Sequence, residues 1–102
     1  MVPPLSVPEI DPFLHEPARL RLMVFLAMLQ RVDFMYLLRQ SGLSRGNLSV
    51  QMGKLQEAAL ISVDKSFVDN RPRTTYALSE KGRDALRDYK RTMEGVLAAL
   101  PD

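Results

Sequence analysis

Between Ser44 and Lys54 the chain reads SRGNLSVQMGK, a run in which hydroxyls, carboxamides and cations recur at helical spacing beside small residues. At about 100° per residue, Gly46, Val50, Gly53 and Glu57 share one side of a helix, flanked by Asn47, Ser49 and Lys54. Leu48, Met52, Leu55 and Ala59 fall on the opposite side. The polar side carries the chemistry needed at a base edge. Asn47 can bond adenine through both amide atoms, Ser49 can contact a base or a phosphate, Val50 can touch a thymine methyl, and Lys54 can neutralise a phosphate. Ser44 stands where a helix needs an N-cap, and the first-turn amides after it, beside Arg45, can receive a phosphate oxygen at the positive helix end. Gln51 completes this group of candidate DNA contacts. The same residues also fit an ordinary capped surface helix, and Glu57 would repel phosphates at the far end.

A second basic group follows in Asp69-Asn70-Arg71-Pro72-Arg73-Thr74-Thr75. Guanidiniums such as Arg71 and Arg73 can bridge phosphate oxygens or enter a narrow minor groove, and Thr74 and Thr75 add hydroxyls beside them. A solvated turn that keeps a hairpin soluble is the plainer alternative. Its position directly after a capped helix favours nucleic acid.

Catalytic and metal chemistry find little support. The chain has no cysteine and a single histidine, His15, so neither a zinc set nor a catalytic triad can be assembled, and no glycine-rich phosphate loop occurs. No enzyme activity, cofactor or metal is therefore expected. His15, just before Pro17, reads as a helix-start residue, with pH sensing at an interface as the alternative. The formal charge of +2 over 102 residues permits a polyanionic partner without requiring one. The first residues, MVPPLSVPEIDP, lack the basic start and apolar run of a signal peptide, and no stretch approaches the roughly 18 apolar residues of a membrane span. A cytoplasmic protein without a membrane partner is expected.

These groups need elements to hold them. Pro3, Pro4, Pro8 and Pro12 predict an irregular arm over residues 1–12. Pro17 suits the first turn of a helix running to Gln30, with Leu20, Met23, Val24, Ala27 and Met28 as its apolar face and Arg19, Arg21 and Arg31 on the wet side. Asp33 caps a short helix bearing Phe34, Leu37 and Leu38, which Gly42 ends in a left-handed conformation. Leu43 then plugs the angle before the helix of residues 44–60.

Ile61 to Val68 alternates as a half-buried strand, residues 69–73 form a turn, and Thr74 to Leu78 returns as a second strand. Ser79 caps a last helix reaching about Leu100. On it Leu86, Tyr89, Met93, Val96, Leu97 and Leu100 recur at spacings of three and four, too long a stripe for so small a domain to cover. A homodimer seam from Phe13, Leu14, Tyr89, Met93, Val96, Leu97 and Leu100 is expected, with an intrachain core face as the alternative for part of it.

The segments HEPARLRLMVFL at 15–26, VDFMYLLRQSGLSRGNLSVQMGKLQEAALI at 32–61 and RPRTTYALSEKGRDAL at 71–86 together resemble small bacterial and archaeal winged-helix transcriptional regulators near the MarR and ArsR groups. The resemblance implies a mainly α fold: a winged helix-turn-helix over residues 13–82, with a three-helix core and a two-stranded wing, then a dimerisation helix over 83–102. It further implies a dimer that binds double-stranded operator DNA, usually as a repressor, through the recognition helix at 44–60 and a wing at about 67–76. Two alternatives remain open: a protein–protein interaction module, and a switch whose small-molecule effector sits at the dimer interface. This chain departs from similar sequences at Gln51 and Gly53, where a His and a basic residue are common, and at Ala58-Ala59, where an Ala-Gly pair is usual. The cysteine clusters of metal-sensing ArsR-type proteins are absent.

Overall fold

Four side chains decide where the helices begin. Glu16 accepts from the backbone N–H of Ala18 (3.1 Å) and Arg19 (2.9 Å), Asp33 from Tyr36 (2.7 Å), Ser44 from Asn47 (3.1 Å) and Ser79 from Gly82 (2.9 Å). Each satisfies a first-turn donor that the helix itself leaves open. In this computed structural model, which describes residues 3–102, the caps open α1 (Pro17–Leu29), α2 (Phe34–Ser41), α3 (Arg45–Glu57) and α4 (Glu80–Ala98). Gly42 ends α2 at φ 69°, as expected. Ala59 ends α3 at φ 62°, in the left-handed region that favours glycine, while Leu60 N–H reaches back to the Leu55 carbonyl at 3.0 Å and Ala59 N–H to Gln56 at 2.9 Å.

Between the helices lie β1 (Arg31–Asp33), β2 (Ile61–Val68) and β3 (Arg71–Leu78), forming an antiparallel sheet in the order β1-β3-β2. The fold class is the expected one, with two corrections to the sheet. β1 adds a third strand: Val32 is its only apolar residue, so three residues carried no readable alternation. The turn is also shorter than the expected 69–73. Asp69 (φ 52°) and Asn70 (φ 63°) both adopt left-handed backbone, which closes the hairpin in two residues and lets Arg71, Pro72 and Arg73 pair with Val68, Phe67 and Ser66. Pro72 is tolerated because β1 pairs with β3 only from Thr75 to Ala77, leaving its edge open there.

Leu14, Leu22, Met23, Leu26, Leu37, Leu48 and Leu55 form the fully buried centre, joined from the sheet by Ile61, Tyr76 and Leu78. In α1 the buried face is Leu22, Met23 and Leu26, whereas Val24 and Met28 of the expected stripe are exposed. PARLRLMVFLAML is apolar nearly all round, so periodicity did not single out the core side. Arg19, expected on the wet side, is largely buried. α4 docks by its first turn: Ser79 N–H donates to the Leu60 carbonyl (3.0 Å), and a Cβ at Gly82 would overlap that same carbonyl oxygen. Residues 3–10 have no regular structure, with Pro8 lying against Gly95, and the arm expectation for residues 1 and 2 falls outside the described residues.

Candidate nucleic-acid interface

The turn Gly42-Leu43-Ser44 sets the angle between α2 and α3. Leu43 packs against the core, as expected, and Leu48, Met52 and Leu55 bury the inner side of α3. Its outer side is thereby turned to solvent, with Ser44, Arg45, Gly46, Asn47, Ser49, Val50 and Lys54 all exposed. Ser44 Oγ serves as the cap. The Arg45 guanidinium lies 5.9 Å from the centre of the Phe34 ring, which directs it toward α2.

Gln51 departs from this group. It is only 9% exposed and turned toward α1, where Arg19 donates to its Oε1 at 3.1 Å. Its Nε2 donates to Asn47 Oδ1 at 3.3 Å, so Gln51 touches a candidate contact residue without facing solvent itself. The helical angle of Gln51 lies beside the buried stripe, and the Arg19 donor is what draws it in. Arg19 is itself fixed by the Phe13 carbonyl, to which its Nε donates at 2.8 Å, and by stacking at 4.5 Å on the Phe13 ring. Glu16 stands beside it. The N–H groups of Arg19 and Ala18, and then the nearby Arg19 charge, hold the Glu16 carboxyl below its ordinary value.

The hairpin presents its residues unequally. Arg71 is exposed, whereas Arg73 pairs with Asp33 at 3.4 Å across the open edge of β3. Thr75 Oγ1 accepts from Arg31 at 3.0 Å. Thr74 is half-buried in a groove of about 330 Å³ that Ser49, Gly53 and Gln56 of α3 share with Lys65 and Tyr76 of the sheet. Burial pushes the Tyr76 hydroxyl above its usual value. A neighbouring cleft of about 570 Å³ gathers Arg39, Arg71 and Arg73 around Asp33 and Phe34. Arg31, Asp33, Arg39 and Lys65 also lie beside the candidate residues, and the sequence does not single them out. Arg31 and Asp33 could have been found only by reading Arg31-Val32-Asp33 as a strand beside the wing.

Apart from these clefts, α1 and α4 enclose an open apolar groove of about 650 Å³ lined by Leu20, Val24, Ala27, Leu86, Met93 and Leu97. Of the expected seam, Leu97 (59%) and Leu100 (66%) are exposed, and Met93 and Val96 are half-buried. Tyr89 is buried and its hydroxyl meets His15 Nδ1 at 2.7 Å. Leu14 is completely buried in its own chain, because Asp11 accepts from the N–H of Phe13 (2.9 Å) and of Leu14 (3.4 Å) and turns the chain inward, which removes Leu14 from any contact with a second copy. Phe13 is half-buried beneath Arg19. Among the described residues, no group of three or more His, Cys, Asp and Glu is placed to hold a metal ion, and no helix is long and apolar enough to cross a membrane.

A capped recognition helix after a tight turn, followed by a two-stranded projection beside it, defines the winged helix-turn-helix class. Residues 18–97 match the winged helix DNA-binding domain family, and the chain belongs to it. It is 31% identical over 71 residues to an uncharacterized protein of Methanocaldococcus jannaschii, an alignment spanning 70% of this chain and 77% of that one. In three dimensions it is similar to a transcriptional regulator homologue from Pyrococcus horikoshii, with a TM-score of 0.82 and 26% identity over 88% of this chain and 89% of that one. It also shares the fold of ZitR from Lactococcus lactis, a zinc-responsive MarR family member solved in complex with DNA, at TM-score 0.65 and 21% identity, covering 92% of this chain and 62% of that one. The family match and the likeness to the Pyrococcus protein support a small winged-helix transcriptional regulator, and point away from an enzyme.

Proposed function

We propose that the chain is a homodimeric, sequence-specific repressor that binds double-stranded DNA in the cytoplasm, with α3 in the major groove and the β2–β3 wing on the flanking backbone or minor groove. The observation that carries this reading is the shared groove. Ser49 and Gly53 of α3 line it together with Lys65 and Thr74 of the hairpin, so one duplex can meet both elements. Ser44, Arg45, Asn47, Ser49, Val50 and Lys54 supply the α3 contacts, and Arg71, Arg73, Thr74 and Thr75 those of the wing. Gln51 acts behind them.

The dimer reading rests on the α1/α4 face. Its groove is apolar, and Val24 and Leu97, which line it, are exposed. Residues 13–82 then carry the DNA contacts, and 83–102 the pairing together with Leu20, Val24 and Ala27 of α1, although α4 runs unbroken through that boundary. A twofold axis would place two α3 helices one DNA turn apart, about 34 Å. The same groove could admit an apolar effector if the partner covers it incompletely, which keeps the ligand-switch alternative within this reading.

Titration with duplex DNA at several salt concentrations tests the proposal. Arg71→Ala and Arg73→Ala should each weaken binding to all sequences alike and reduce the slope of log affinity against log salt by about 0.9 per lost phosphate contact. Absence of binding to any duplex at low salt would sink the DNA reading and leave the protein-interaction alternative.

A further inference from the structure

The cleft at the open edge of β3 collects positive charge from two elements. Arg39 of α2 and Arg71 and Arg73 of the wing line it, against the single carboxylate of Asp33. On α2, Leu37 is buried and Leu38 packs on the core, so Met35 and Arg39, one turn apart, stay exposed where they line the cleft. Among the described residues neither Arg39 nor Arg71 is in an ion pair, and Arg73 pairs with Asp33 at 3.4 Å. Guanidiniums gathered in this way repel one another, and an anion between them relieves the repulsion.

The cleft continues the groove between α3 and the hairpin. Phe34 and Thr74 line both, and Arg45, at the start of α3, reaches the same corner, 5.9 Å from the centre of the Phe34 ring and 3.9 Å from Met35 Sδ. A strand of a duplex lying on Ser49 and Gly53 therefore has a path past Phe34 into the cleft. At about 570 Å³ the cleft has room for a sugar–phosphate unit, and Phe34, Met35, Val68 and Pro72 give it apolar walls beside the arginines.

We propose that this cleft is a backbone clamp, in which Arg39 from α2 and Arg73 from the wing share one phosphate of bound DNA, and Asp33 is the carboxylate that the phosphate displaces from Arg73. Asp33 does not follow Arg73 away, because its Oδ1 caps α2 through the Tyr36 N–H at 2.7 Å; its charge stays in the cleft and works against the phosphate. Arg39 thereby joins the DNA contacts, and Asp33 weakens them. The inference rests on the DNA-binding reading and adds a contact on α2 and a competing carboxylate that the reading does not require.

Duplex titrations of the full-length protein over a range of salt concentrations test it. Arg39→Ala should weaken binding to duplexes of different sequence alike, by roughly 3- to 10-fold at low salt, and flatten the slope of log affinity against log salt, while Arg39→Lys keeps most of that slope. Because the two arginines share a phosphate, the double variant Arg39→Ala/Arg73→Ala should lose less than the product of the two single losses. Asp33→Asn keeps the cap and removes the competing charge, so it should bind every duplex more tightly, by roughly fivefold, the worth of one unit charge about 4 Å from another in water. Wild-type affinity in Arg39→Ala, fully multiplied losses in the double variant, or weaker binding by Asp33→Asn would each overturn the clamp and leave the DNA-binding reading standing. Calorimetry with inorganic phosphate separates the other source of the same anion. Saturable binding by the wild type that Arg39→Ala abolishes, with duplex affinity unchanged, would make the cleft a free-anion site and overturn the clamp. Failure of the wild type to bind any duplex at low salt would overturn both readings.

Discussion

The β2–β3 hairpin is held by different physics at its two ends. At the base, the Ala58-Ala59-Leu60 turn meets the first turn of α4 through its three carbonyl oxygens. Ser79 N–H binds the Leu60 carbonyl at 3.0 Å, Ser79 Oγ the Ala59 carbonyl at 2.7 Å, and Lys81 Nζ the Ala58 carbonyl at 3.1 Å, with Gly82 pressed against Leu60. Ile61 and Leu78 are buried there. At the tip, Phe67 is 76% exposed opposite Pro72, Arg71 is free in solvent, and the named tie to the body is the Arg73–Asp33 pair at 3.4 Å with Arg73 half-exposed. Backbone contacts that orient a lever have no substitute partners, whereas an exposed ion pair can exchange a carboxylate for a phosphate at little net energy. The difference suits a wing that is aimed from its root and free to adapt at its end.

The sharpest way to break the base is Gly82→Ala. Alanine is normally better than glycine inside a helix by roughly 1 kcal/mol, yet here its Cβ would overlap backbone atoms of Leu60 that hydrogen bonds keep in place. We expect the clash to win by about 2–4 kcal/mol, a fall in Tm of about 10 °C or more in a thermal melt. The same substitution at Gly53, whose Cβ position is open, should follow propensity and stabilise by up to about 1 kcal/mol. Equal shifts for the two variants would mean that the α4 joint is not close-packed. A third substitution sharpens the base from the other side: Ala59 carries φ 62°, so Ala59→Gly should relieve left-handed strain and raise stability by about 0.5–1 kcal/mol, read as the midpoint in urea. A lowered midpoint would show that the Ala59 methyl contributes packing which outweighs its backbone strain.

Legibility follows the same division. The helix starts at Asp33, Ser44 and Ser79, the left-handed stop at Gly42, and Leu48, Met52 and Leu55 on the buried side of α3 are legible in the sequence, because caps and periodicity are local; Ala59 of the expected stripe lies beyond the end of α3 at Glu57 and is exposed. The unusual Ala58-Ala59 pair was visible too, but not that Ala59 would take the glycine conformation. β1 escaped notice, since Arg31-Val32-Asp33 is a strand only because β3 lies beside it. The contact between Arg19 and Gln51 was equally hidden: an arginine on an apolar helix and a glutamine beside the buried stripe look like surface residues until packing brings α1 against α3. The pattern around Leu14 shows that it is apolar and says nothing of which surface covers it, and its own chain covers it completely. At the candidate site, the exposed α3 residues were anticipated from helical angle alone, whereas the partners of Arg73 and Thr75 depended on β1 and came with it.

The tip offers the smallest effect and the finest test of the contrast. Asp33 does two jobs there: Oδ1 caps α2 through Tyr36 N–H at 2.7 Å, and Oδ2 pairs with Arg73. Asparagine ranks with aspartate as an N-cap, so Asp33→Asn keeps the cap and removes the ion pair, while Asp33→Ala removes both. If the tip is loosely tied, Asp33→Asn should lower stability by less than about 0.5 kcal/mol, as exposed pairs commonly do, and Asp33→Ala by about 1 kcal/mol more. Repeating the melts in 1 M salt, where the Debye length is about 3 Å, should erase the small Asp33→Asn effect and leave the Asp33→Ala effect nearly intact, because a hydrogen-bonded cap is screened far less than an exposed ion pair. An Asp33→Asn variant as unstable as Asp33→Ala would mean that the wing is anchored at its tip as firmly as at its base, and that Arg73 is held as part of the fold rather than kept available for a phosphate.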